Sequence, residues 1–117
     1  MSAALLSPAA SARSRLAALL LVAAAPAALA ADADAQMKLG RQVFTKIADP
    51  QCGVCHTLKD AGTTGTIGAN LHELTPDAAR VAEAVRKGVG VMPSYEGKLT
   101  DEQIKAVAAY VAQAAKK

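Results

Sequence analysis

An all-α fold is what this 117-residue sequence predicts, with three main helices joined by irregular loops. Three observations carry that expectation. Apolar residues recur at steps of three and four in three separate stretches. Each stretch has its own start or stop signal. No stretch alternates apolar and polar residues as a half-buried strand would.

The first helix is expected in "DADAQMKLGRQVFTKIADP", with Asp32 and Asp34 as candidate caps. Met37, Gly40, Val43, Phe44 and Ile47 fall on one face, and Pro50 bars continuation. The second starts at Thr75-Pro76-Asp77, with Thr75 as cap and Pro76 at the first helical position. It runs through Val81, Ala82 and Val85 to Gly88, and Arg86 and Lys87 suit the negative end of its dipole. The third opens on a capping box, Thr100 to Gln103, and repeats Ile104, Val107, Ala108 and Val111 toward the C terminus. Between these lie two aperiodic stretches, "KDAGTTGTIGANLHEL" and "GVGVMPSYEGKL". A loop as long as the first, in so short a chain, is expected to wrap around something.

The N terminus reads differently. Residues 16–30, "LAALLLVAAAPAALA", follow Arg13 and Arg15 and end in the small-residue pattern Ala28-Leu29-Ala30. The run is shorter than the roughly 20 apolar residues of a bilayer span, so residues 1–30 read as a secretory signal peptide cut after Ala30. The alternative is an uncleaved anchor helix, which the acidic flank of Asp32 and Asp34 disfavours. Cleavage leaves residues 31–117 as one domain, exported to the periplasm, with no transmembrane span. Two of the chain's thirteen basic residues leave with the leader, so eleven face ten acidic residues and the net charge is +1. Basic residues spaced singly, with almost no aromatics beside them, exclude a nucleic-acid surface.

That domain has an underfilled core. It contains no Trp and three aromatics, Phe44, Tyr95 and Tyr110, among many alanines. Alanine buries little apolar area at about 25 cal/mol per Å². The two cysteines allow one disulfide, and that one would constrain very little chain. A large apolar cofactor is the better filler.

The cysteines stand in "CGVCH", residues 52–56. A thioredoxin-like redox motif has the same spacing but needs a strand-rich setting. A tetrahedral zinc site wants four ligands, and Cys52, Cys55, His56 and His72 make an awkward set. A plain disulfide stays open. Covalent haem attachment explains all the positions: each thiol adds to one vinyl group along a porphyrin edge, and His56 turns its imidazole under the iron. Such an iron takes a sixth ligand, commonly Met or His. Met92, in a glycine-flanked stretch and followed by Pro93, is the candidate; His72 in "NLHEL" is its rival. Met37 reads as a core filler.

With these residues in view, the chain resembles the class I c-type cytochromes over nearly all of residues 31–117. The resemblance implies the small cytochrome c fold around one covalent haem c, its iron held by His56 and Met92. It implies a crossing of first and last helices in which Gly40 and Phe44 meet Tyr110. It also implies that the turn "GANL", residues 68–71, offers a carbonyl to the His56 ring, although Ala69 stands where the family usually has proline. The absent tryptophan removes a customary partner of the haem propionates. The function implied is one-electron transfer between redox partner proteins: from a periplasmic dehydrogenase to a downstream cytochrome or terminal oxidase, by a monomer or the small subunit of a complex. "ADPQCGVCHTLKDAG" and "GVGVMPSYEG" are also similar to cytochromes that serve bacterial sulfite dehydrogenases as subunit or acceptor. The other haem reading, a sensor or enzyme, requires Met92 to leave the sixth iron position open. When the full chain is expressed with export in a bacterial host, the purified protein is expected to begin at Ala31; N-terminal sequencing that begins at Met1 or Ser2 overturns the leader.

Overall fold

The computed structural model describes residues 3–5 and 25–117, so the Arg13/Arg15 start of the leader and its apolar run up to residue 24 lie outside the described residues. Helix α1 spans Ala25–Gln42 and continues as a π turn, Val43–Ile47. Its start corrects the expectation, because Asp32 and Asp34 are exposed positions inside the helix. The neighbouring residues are mostly alanine, the strongest helix former, and propensity carries the helix back past the two acids. Pro26 sits in the first turn, where its missing N–H would have no intrahelical partner anyway. The π turn corrects a second detail. The Ala48 amide donates to the Val43 carbonyl at 3.0 Å, five residues back. The extra residue in that turn rotates the inward face, so Ile47 is 42% exposed and Ala48 takes the buried position.

The middle of the chain is built from short pieces. Helix α2 is a single turn, Cys52–Cys55. Strands β1 (Thr57–Leu58) and β2 (Thr63–Thr64) pair antiparallel, with Thr57 opposite Thr64 and Leu58 opposite Thr63. Two-residue strands are too short to show alternation, which is why the sequence reading contains none. Helix α3 is another single turn, Leu71–Leu74. Its last carbonyls are closed by Thr75 in the left-handed region at φ +42°, and the Thr75 amide donates to the Leu71 carbonyl. That removes Thr75 from the expected cap. Helix α4, Ala78–Lys87, is capped by Asp77, whose Oδ1 accepts from the Arg80 amide at 2.8 Å, and it ends at Gly88. Helix α5, Asp101–Ala114, opens on the expected capping box: Thr100 Oγ1 accepts from the Gln103 amide and Gln103 Oε1 from the Thr100 amide.

Helix α5 is the spine against which α1 and α4 pack. Where α1 crosses it, Gly40 is buried, and a β-carbon there would overlap the Ala106 carbonyl and Tyr110 Cβ. Close approach lets Phe44 meet Tyr110 edge to face, with ring centroids 6.1 Å apart at 64°. Val43, Phe44, Ile104 and Val107 are almost completely buried, with Met37 packed against their cluster as the filler expected. Replacing Gly40 by Val forces the helices apart. The expected loss is about 1–3 kcal/mol, read as a thermal midpoint lower by about 4–8 °C per kcal/mol; an unchanged midpoint would show that the crossing tolerates a side chain.

Candidate functional site

Between α4, α5 and the two long loops lies a cavity of about 440 Å³, within the usual range of small-molecule sites. Val81 and Val85 of α4 and Val107 and Val111 of α5 form much of its apolar wall. Cys52, Cys55, His56 and Met92 all line it. The structure therefore brings together Cys52, Cys55, His56 and Met92, four of the residues that the sequence analysis weighed for cofactor binding, around the space that the alanine-rich core leaves unfilled.

The single turn of α2 presents both thiols to this space. Burial pushes the Cys52 thiol up to about 11, with Cys55 adding to the effect. A reactive exchange cysteine has its thiolate favoured, so this shift runs against the thioredoxin-like reading. So does the setting, because the described residues contain only the two-residue strands β1 and β2. Cys52 and Cys55 are not bonded to each other. Among the described residues no three His, Cys, Asp or Glu side chains converge as a zinc site requires.

His56 is held from two sides. Its Nδ1 lies 2.7 Å from the Ala69 carbonyl, so the ring nitrogen that donates there is fixed and Nε2 is left for another partner. The "GANL" turn thus supplies its carbonyl with alanine in the place of proline. Gly68 packs on the ring face, where a β-carbon would come within 2.6 Å of His56 Cε1. The backbone around this ring is tied as well: the Gly68 amide donates to the Cys55 carbonyl at 2.8 Å, and Thr63 Oγ1 donates to the His56 carbonyl at 2.9 Å.

Met92 is delivered by a tight turn. Val89 and Met92 exchange backbone hydrogen bonds of 3.1 and 2.9 Å around Gly90 at φ +56° and Val91. Gly88, at φ +73°, lies where a β-carbon would meet the Met92 carbonyl, so glycine there is needed for the approach. The stretch that lacked periodicity in the sequence is an ordered hairpin bend. His72, the rival ligand, is not among the cavity-lining residues. Its Nε2 accepts from the Lys59 amide at 2.9 Å and its Nδ1 faces the Ala115 carbonyl at 3.2 Å. It is half-buried in protein contacts, not solvated in a loop.

Sequence reasoning gave the lining residues Tyr95 and Arg80 no site role, and it read Gly68 only as the start of the "GANL" turn. Tyr95 is buried, with its hydroxyl donating to the Pro50 carbonyl at 2.6 Å and its amide to the Val85 carbonyl. Arg80 is the charged side chain of the lining, and Gly68 its cradle for His56. An aromatic three residues beyond Met92 was a readable signal. Nothing local marked Arg80.

An apolar cavity with two thiols, a singly tied imidazole and a thioether at its walls defines a c-type cytochrome. Comparison with known proteins agrees. Residues 35–111 match the family described as "Cytochrome C oxidase, cbb3-type, subunit III", and the chain belongs to that family of cytochrome c domains. It is 33% identical over 76 residues to cytochrome c6 of Leptolyngbya boryana, covering 62% of this chain and 89% of that one. It is 36% identical over 107 residues to cytochrome c6 of Thermosynechococcus vestitus, covering 84% of each. Its fold matches the crystal structure of the c-type cytochrome SorU from Sinorhizobium meliloti with a TM-score of 0.69 and 51% identity, over 72% of this chain and 95% of SorU. The protein is a class I c-type cytochrome that binds haem c covalently; it carries electrons and is not an enzyme.

Burial raises Tyr95 from its ordinary 10.0 to about 12, and burial with the Asp60 hydrogen bond raises Tyr110 as well. A raised acid holds its proton more tightly when folded, so the stability it contributes is complete below pH 10 and is lost as pH climbs toward 12. Alkaline titration of the protein is expected to show tyrosinate absorbance rising with unfolding in that window. Tyr95→Phe should flatten the loss; ionisation near pH 10 without unfolding would contradict the burial.

Proposed function

We propose that this chain is a periplasmic one-electron carrier in which Cys52 and Cys55 hold the haem by thioether bonds and His56 and Met92 are the two axial ligands of its iron. The observation that carries the reading is the convergence of those four side chains on one apolar cavity, with the His56 ring oriented by the Ala69 carbonyl. The bound haem supplies reversible one-electron chemistry between ferric and ferrous iron. Around it, the Ala69 hydrogen bond fixes the His56 ring and strengthens its donation. Met92 favours the ferrous state relative to a second histidine. The valine walls keep water out, and Arg80 offers positive charge suited to a propionate. A sensor or enzyme needs the sixth position open, and the turn that brings Met92 to the cavity supports the carrier.

Export places the carrier with periplasmic partners, and the leader of residues 1–30 is cut after Ala30. Among the described residues no helix is long and apolar enough to cross a membrane. Around the cavity, Ile67, Val89 and Val91 are 67%, 65% and 86% exposed. An aliphatic rim with a net charge near +1 suits a small, transient, partly apolar contact. The donor is a dehydrogenase, assigned to the sulfite-oxidising class on the likeness of the regions around the cysteines and Met92. The acceptor is a downstream cytochrome or terminal oxidase.

Optical spectra of periplasmically expressed protein test the ligands. The wild type should give sharp ferrous bands and, when oxidised, the weak near-infrared band of an iron–methionine bond. Met92→Ala should keep the covalent haem, lose that band, lower the potential and gain CO or cyanide binding; an unchanged spectrum would remove Met92. Sulfite-dependent reduction by a molybdenum sulfite dehydrogenase tests the donor, and no reduction there removes the donor while leaving the carrier.

A further inference from the structure

His72 bridges three parts of the chain that the electron-transfer role leaves without comment. Its Nε2 accepts from the Lys59 amide at 2.9 Å, three residues past His56. An acceptor nitrogen carries no proton, so Nδ1 is the protonated one, and it donates to the Ala115 carbonyl at 3.2 Å. That carbonyl lies just past the end of α5, where helix carbonyls lack intrahelical partners. His72 itself belongs to α3, a single turn that would not hold its shape alone. Asn70 caps that turn through Oδ1 to the His72 amide at 3.0 Å, and Ala69 immediately precedes Asn70. The carbonyl that orients His56 is thus one residue away from the turn that His72 fastens.

We propose that His72 is a positioning residue for His56: by fastening α3 to Lys59 and to the end of α5, it holds the Ala69 carbonyl at hydrogen-bonding distance from the His56 ring. The Lys59–Asp60 turn gives this tie a fixed base, since Tyr110 donates to Asp60 Oδ2 at 2.7 Å from α5. Hydrogen-bond strength falls steeply with misalignment, so a small drift of α3 weakens the His56 contact. A weaker contact lowers the donation of His56 and disfavours the ferric state. Loss of His72 therefore raises the reduction potential from a distance. This inference rests on His56 as the proximal ligand.

The test compares reduced holoprotein of wild type, His72→Phe and Thr100→Ala, the last losing only a helix cap remote from the cavity. NMR follows exchange of the His56 Nδ1 proton with solvent, and redox titration gives the midpoint potential. Expected for His72→Phe is exchange roughly tenfold faster or more, with a higher potential, while Thr100→Ala loses thermal stability and moves neither. If His72→Phe holds no haem, His72→Asn, whose shorter amide reaches one partner, is expected to show the same two changes in smaller degree, and His72→Gln to restore both toward wild type. Exchange and potential like wild type in a folded His72 variant overturn the proposal and leave His72 a structural tie. The wild-type His56 resonance decides separately whether His56 is the ligand.

Discussion

The structure depends on a hollow that its own side chains do not fill. The hollow has a volume of about 440 Å³ and mostly apolar walls, and the covalent haem of the family is the large apolar group that suits such a space. This explains the composition: with one large rigid apolar group in the middle, the helices need valines and alanines facing it and few aromatics behind it.

Two rigid contacts make the hollow a defined site. Gly40 lets α1 close on α5, and the Phe44–Tyr110 pair fixes their rotation. The loops are then anchored to this frame, not left to fold on themselves. Tyr95 ties the Met92 bend to Pro50 and to α4, and Tyr110 and His72 tie the hairpin and α3 to α5. The side-chain bonds among these join positions 13 to 50 residues apart in the chain. These polar side chains thus hold loops in place, and most of the cavity wall is apolar.

The same division shapes the surface. Around the cavity, Ile67, Leu74, Val89 and Val91 are exposed aliphatic side chains. With basic and acidic residues nearly balanced, long-range steering of a partner is weak, and short-range apolar contact carries the encounter. An electron carrier gains from contacts of this kind because they release as readily as they form.

Local rules in the sequence determined the helix caps at Thr100 and Gly88, the inward faces of α4 and α5, the "CGVCH" cluster and the glycine-flanked stretch that carries Met92. These are readable because each is a short pattern whose physics acts within a few residues. The same rules misplaced the starts of α1 and α4, where an alanine-rich run and the needs of a preceding turn outweighed a plausible cap. The π turn that exchanges Ile47 for Ala48, the two-residue strands and the role of His72 were decided only by tertiary structure. Their reasons are contacts with residues distant in sequence: the Ala106 carbonyl and Tyr110 Cβ against Gly40, the Ala69 carbonyl against His56, and the end of α5 against α3. What the chain binds was legible in a few neighbouring residues, whereas how firmly each ligand is held depends on packing between segments that no local pattern records.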